Sequence, residues 1–306
     1  MIKNFIQAFA ILFLSIGGVE AQDTPRIQSA LLNEISGLVA SGGSDTIFYA
    51  VNDSGDSSRF FAVDTSGRLI ATYHYKGSNP KFPLGVMDCE EMAWGPGKIK
   101  GKNYLYVGDI GDNRSIRPFI TIFGFEEPQS GDTLSNLIRT VIHLKYLDHP
   151  RDAEAFLIDP LLKTICIISK REDTVGIYET TFLDNDLDTL TLEKKGILVL
   201  PRTIMQLTRQ VVSTDISRDG TQLLIKTYGS IYYWKRKGME SIASLLKRKP
   251  LSLPYTVEPQ GETIAFNRKG TGFYCISEGL NPVIYYYPLK QALETERERE
   301  RGRRSE

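Results

Sequence analysis

Two acidic turns share one pattern: Val51, Asp53, Gly55 and Asp56 in YAVNDSGDSS are matched by Val107, Asp109, Gly111 and Asp112 in YVGDIGDNRS. Each leaves an apolar run and drops two carboxylates into a glycine-bearing turn. A second acidic series opens other strand-like runs, where DCEEMAW, DAEAFLI and PQGETIAF align Asp88 with Asp152 and Gln260, and Glu90 with Glu154 and Glu262. Glu90 and Glu154 lie 64 residues apart (154 − 90), as do Asp88 and Asp152 (152 − 88). Carboxylates crowded together must bind a cation, hold protons or interleave with bases. Calcium is the natural cation, taking six to eight oxygens from carboxylates, carbonyls and water. Asp53, Asp88, Asp109, Asp152 and Glu278 are its candidate ligands, and Glu90, Glu154, Glu262 and Lys170 the candidate catalytic groups. Asp and Asn also favour glycine turns because they bond their own backbone, so turn chemistry competes as a reading of the D-x-G-D pair.

Bases are interleaved with the acids: Arg59, Arg114, Arg117, Arg151, Lys170 and Arg171, with His149 near Asp152. Arginine forks match phosphate and carboxylate, which makes Arg114, Arg151, Arg171 and His149 candidates for holding a small anionic substrate. Zinc fits less well, since none of the three histidines stands at metal spacing from another or from a cysteine. His74 and His143 fall in expected outermost strands, where packing is the expected role. The sequence carries no G-x-S-x-G elbow, H-E-x-x-H, P-loop or dinucleotide fingerprint. Cys89, Cys166 and Cys275 sit in apolar runs without metal spacing and read as buried small hydrophobes.

The elements that must position these residues are strands. Short runs rich in Val, Ile, Tyr, Phe and Thr alternate with Gly, Asp, Pro and Asn turns almost end to end, which predicts an all-β chain. Grouped by fours, the runs repeat. ISGLVA, TIFYAV, RFFAVD and RLIATYHY form the first set, and EEMAW, NYLYVG, ITIFGFE and RTVIHLKYL the second. EAFLID, TICIIS, VGIYETT and KKGILVL follow, then VVSTDIS, QLLIKTY, SIYYWKR and PLSLPYT. The last set has only ETIAFN, GFYCIS and VIYYYPL, and RIQSALL at Arg26–Leu32 can supply its missing strand from the other end. The expected fold is a β-propeller of five four-stranded blades, closed by that N-terminal strand joining the C-terminal blade. Six blades remain open if the third and fourth repeats hold extra strands, and a two-sheet sandwich is the competing architecture. In a propeller the loop entering a first strand and the loop leaving a second strand open on one face, so both acidic series belong at one channel mouth. Helix is expected only at Glu240–Leu246 and Leu289–Arg301.

Composition sets outer bounds. The chain has 306 residues with 37 Lys+Arg and 37 Asp+Glu, so no net basic field recruits nucleic acid or an anionic membrane. Lys3, the apolar stretch Ala8–Ile16 and Val19-Glu20-Ala21 read as a signal peptide over 1–21, too short to span a bilayer. The expected mature protein is exported to the periplasm or beyond without a transmembrane segment. It comprises one propeller domain over 22–291 and a charged tail over 292–306, disordered or a frayed helix.

The motifs DCEEMAWGPG, YLYVGDIGDNRSIRP, HPRDAEAFLID, STDISRDGTQLLIKTY and EPQGETIAF resemble exported bacterial propellers of the phytase-like, gluconolactonase-like and SdiA-regulated kind. That resemblance covers most of Glu34–Leu289. It implies a divalent metal, calcium by preference, at the channel mouth, and hydrolysis of a phosphoester or lactone. The alternative expectation is a non-catalytic module that binds an envelope glycan or protein partner through the same mouth.

Overall fold

The computed structural model describes residues 25–77, 85–97, 99–129, 139–171, 175–181, 189–201 and 209–305. The expected signal peptide, 1–21, lies outside the described residues. The chain is all-β and built from repeated antiparallel sheets. β1 (Ile35–Ala40), β2 (Ile47–Asn52), β3 (Arg59–Asp64) and β4 (Leu69–His74) pair in chain order. The same order recurs in β5 (Cys89–Pro96), β6 (Asn103–Asp109), β7 (Ile120–Glu126) and β8 (Arg139–Tyr146). It recurs again in β9 (Ala153–Asp159), β10 (Thr164–Ser169), β11 (Val175–Thr181) and β12 (Thr189–Leu198). β13 (Val211–Ile216), β14 (Gln222–Thr227), β15 (Ser230–Lys235) and β16 (Leu251–Leu253) follow, then β17 (Ala265–Phe266), β18 (Gly272–Ile276) and β19 (Ile284–Pro288).

Alternation along the strands explains why these sheets stack. In β10, Ile165 and Ile167 face the second sheet's core while Cys166 and Ile168 face the fourth set's. Successive side chains point to opposite faces, so a strand apolar at every position is buried on both. Each hydrophobic cluster is shared by two neighbouring sheets, and Phe61 and Val63 with Ala265 and Ile276 join the first set to the last. The innermost strands pack on one another in turn, β1 on β5, β5 on β9, β9 on β13, and β17 between β13 and β1. This is a propeller-type arrangement. Arg26 pairs antiparallel with Val283, and Ile27 N donates to the Pro282 carbonyl at 3.0 Å, so the expected closing strand Arg26–Leu32 is reduced to one bridge at the start of β19 before Gln28 N turns to Gly67 O at 2.9 Å.

Four innermost strands carry a bulge at the same register. Pairing skips Ser36 in β1, Glu90 in β5, Glu154 in β9 and Val212 in β13. A bulge leaves one residue unpaired and re-aims its side chain. Consequently Glu90 and Glu91, adjacent in sequence, face different surroundings. Glu91 is fully buried and reaches across the channel. Its Oε1 accepts from Leu38 N of β1 at 3.3 Å and Met92 N at 3.0 Å, and its Oε2 from Ser213 Oγ at 2.5 Å and Thr214 N of β13 at 3.1 Å. Gly37 makes room, since a Cβ there would lie 2.6 Å from the Glu91 backbone carbon.

Two strands differ from expectation. β12 starts at Thr189 rather than Lys194, because buried Leu190 and Leu192 alternate with exposed Thr189 and Thr191 and pair in parallel with His143–Tyr146 of β8. β17 keeps two residues of ETIAFN because the Thr263 hydroxyl takes over the ladder, accepting from Ile276 N and donating to Ile276 O, both at 2.9 Å. α1 (Ile242–Leu245) is one turn capped by Ser241. α2 (Leu289–Ser305) turns the charged tail into a helix anchored by buried Leu289, Ala292 and Glu296. The three cysteines are buried and free. No helix of the described residues is long and apolar enough to cross a membrane.

Glu91→Ala leaves three donors from two other strands buried without an acceptor and is expected to cost about 3 kcal/mol, read as a lower urea midpoint. A pH dependence follows from Asp215, which accepts from Ile216 N at 2.8 Å and Phe266 N at 2.7 Å and is pushed up to about 7 by burial. The unfolded group ionises near 4. Folding therefore takes up a proton between those values, so this contribution is complete at low pH and lost as pH rises through 7. Urea midpoints at pH 5 and pH 8 are expected to differ less in Asp215→Asn than in the parent.

Candidate functional site

Backbone hydrogen bonds define equivalent positions around the mouth. Asp53 N donates to Glu34 O at 2.8 Å, Gly111 N to Asp88 O at 3.1 Å, Lys170 N to Asp152 O at 3.0 Å, and Glu278 N to Gln260 O at 3.0 Å. Thr227 pairs with Val211 as Asn52 does with Ile35, which puts Tyr228 in the same register. Alignment on the last apolar residue places Asp109 and Thr227 in this ring. The structure instead places Gly111 and Tyr228 there, because Asp109 is still in the ladder opposite Cys89.

Three carboxylates converge. Ligand oxygens of Asp53, Asp88 and Glu90 all lie within 4.8 Å of one another. Gly111 permits this, since a Cβ there would lie 2.4 Å from both Asp88 Oδ2 and Glu90 Oε1. Glu90 is only 4% exposed, and its carboxylate has no hydrogen bond among the described residues. Burial first, then Asp53 and Asp88, hold Glu90 well above the usual carboxylate range, with Lys170 opposing. Burial and the neighbouring Asp53 and Asp152 push Asp88 up to about 7. Asp53 is raised by burial too, against the Ser54 amide. These three residues could hold a metal ion, and an all-oxygen set of mutually repelling groups suits a hard one.

The opposite side of the mouth is different in kind. Lys170 Nζ donates to Glu154 and, at 3.3 Å, to the Tyr228 hydroxyl, which in turn donates to Glu262. Burial lowers the Lys170 ammonium, which lies 5.2 Å from the centre of the Tyr228 ring. Glu154 is buried, and its Oε2 has no partner among the described residues. Glu278 is pushed up to about 9 by burial and by Glu262 beside it.

Other expected ligands are committed elsewhere. Asp109 takes Arg117 at 2.8 Å, Asp88 N at 3.0 Å and Met87 N at 3.3 Å, so it positions the loop that carries Asp88. Asp152 accepts from Asp112 N at 2.9 Å and from Arg171, which also reaches Asn113. Asp56 is tied to Arg59 at 2.7 Å. Arg151 is not in the mouth, because its guanidinium pairs with Asp148 and lies 5.0 Å over the Tyr178 ring. His149, 64% exposed at its side chain, neighbours Asp148 at 3.6 Å rather than Asp152. Arg114 is exposed on its turn. Of the expected anion holders, Arg171 reaches the rim.

Sequence reasoning missed Glu91, Tyr228 and Arg218. Arg218, from the β13–β14 turn on the opposite face, donates to Ala40 O at 2.6 Å and lies 4.3 Å over the Trp94 ring. Glu91 lies below the mouth among strands of three sets, and Arg218 lies beyond it toward the opposite face. Doubled acid at Glu90-Glu91 was the available signal, and only bulge geometry separates its two roles.

No family model and no curated protein matches the chain. Among solved structures, the PQQ-bound form of aldose sugar dehydrogenase from Streptomyces coelicolor is similar at a TM-score of 0.49 and 9% identity, covering 89% of this chain and 97% of that one. Overlap at that level leaves the propeller to rest on this chain's own strands, and the phytase-like, gluconolactonase-like and SdiA-regulated resemblance on its motifs.

Tyr228→Phe removes the hydroxyl between Lys170 and Glu262, leaving both short of a partner. Urea unfolding is expected to show a loss of about 1–2 kcal/mol.

Proposed function

We propose that the chain is an exported five-bladed β-propeller that holds calcium between Asp53, Asp88 and Glu90 and hydrolyses a small anionic ester, a phosphoester by preference, at that mouth. The observation that carries this reading is Glu90: buried, without a hydrogen bond among the described residues, and within 4.8 Å of two further carboxylates through their oxygens. Such a group is stabilised by protons or by a cation, and oxygen donors select a hard one. Five blades are supported by hydrophobic clusters that each join two neighbouring sheets, the last set to the first included.

Bound calcium would supply a Lewis acid for the ester oxygen and a more acidic water. The chain's own groups then have distinct tasks. Glu154 takes a proton at Oε2, the oxygen without a partner among the described residues. Proton uptake there weakens its hold on Lys170, whose ammonium then balances the anion together with Arg171 at the rim. Tyr228 keeps Lys170 at the mouth through its hydroxyl. A second reading, a non-catalytic module for an envelope glycan or protein, is favoured by the existing Lys170–Glu154 pair, which leaves Lys170 no free charge at rest.

Calorimetric titration is expected to give a calcium dissociation constant on the order of 10⁻⁴–10⁻³ M, the range of extracellular modules. Glu90→Gln should weaken it at least about tenfold, since a charged ligand is lost. Gly111→Ala should keep the fold, because the side chains it meets can swing away, yet weaken calcium similarly by separating Asp88 from Glu90. Turnover of phosphoesters or lactones that stops with chelator supports the enzyme. Calcium binding without turnover of any such ester supports the module, and no calcium binding removes the enzyme reading.

A further inference from the structure

A groove of about 480 Å³ lies on the mouth side of the molecule, between the β6–β7 loop and the β8–β9 loop. Pro118 and Phe119 form one wall, and Tyr146, Leu147, His149 and Pro150 the other. Arg117 separates it from the acidic cluster, donating to Asp109 at 2.8 Å and to Gly111 O at 2.7 Å. The volume is that of a small-molecule site, and apolar walls with few polar groups are the usual composition of one. Leu147 is 72% exposed, an apolar side chain at the rim with nothing over it among the described residues.

Charge narrows the occupant. Among the lining residues Arg117 is neutralised by Asp109, and Asp148 by Arg151. Lys145 is exposed and has no ion-pair partner among the described residues, so the uncompensated lining charge is positive.

We infer that this groove binds the ring of a small aromatic anion, the ring against Phe119, Leu147 and the two prolines and the acidic group at Lys145. The site goes beyond the calcium reading and does not depend on it. The test compares phenyl phosphate with inorganic phosphate by calorimetry and amide NMR, in buffer holding a chelator. Phenyl phosphate is expected to bind at least about tenfold more tightly than inorganic phosphate, as burial of a ring dictates, and to shift the amides of Lys145, Tyr146 and Leu147. Leu147→Asp and Lys145→Glu, both at exposed positions, should each weaken it by about tenfold, while Glu90→Gln leaves it unchanged. Equal binding of the two phosphates, undiminished binding in both groove variants, or loss of binding in Glu90→Gln would each overturn the inference.

Discussion

Glu91 sits without solvent where strands from three sets come closest, and four donors converge on its two oxygens. Desolvating a carboxylate is costly unless its lone pairs are filled, and here they are filled by backbone and hydroxyl groups held in place by the sheets themselves. The bond network passes onward: Ser213 Oγ accepts from Ile264 N at 3.1 Å, and Ser36 Oγ donates to Cys89 O at 2.9 Å. Innermost strands that share no ladder are thus tied through side chains. The bulge at Glu90 is the companion of this arrangement. Without the extra residue, either the channel would lose its acceptor or the mouth its buried carboxylate.

Repetition then fills equivalent positions with unlike chemistry. At the bulge stand Ser36, Glu90, Glu154 and Val212, and at the end of the second strand Asp53, Gly111, Lys170, Tyr228 and Glu278. Acids gather on one side, where the missing side chain of Gly111 lets Asp88 and Glu90 approach. A lysine and a phenol face them, and their mutual bonds hold Glu154 and Glu262 apart from the triad. The result is a mouth with an electrostatic direction, negative toward the first two sets and mixed toward the third and fourth.

The four-strand rhythm is legible in the sequence because inner strands are apolar at every position and turns are marked by Gly, Asp and Asn. Which carboxylates belong together is legible for Glu90 and Asp88, since their motif repeats at Asp152 and Glu154. Registers at strand ends are not. One extra residue, Ile110, keeps Asp109 in the ladder and hands its place to Gly111, and no composition signal announces that. Arg151 and His149 read as mouth residues from their neighbours in sequence, but Tyr178 and Asp148 offer the guanidinium a stacked and paired position further out. Thr263 shows the same limit, its hydroxyl replacing a stretch of ladder that β-propensity alone predicts.

The central claim is that the bulge-directed Glu90 makes one cation site with Asp53 and Asp88. Crystals grown with manganese as a calcium substitute and measured at its absorption edge test it most directly. The account predicts an anomalous peak bound by oxygens of Asp53, Asp88 and Glu90, at the mouth above Glu91. Peaks confined to other acidic surfaces, or none at all at millimolar metal, would contradict it.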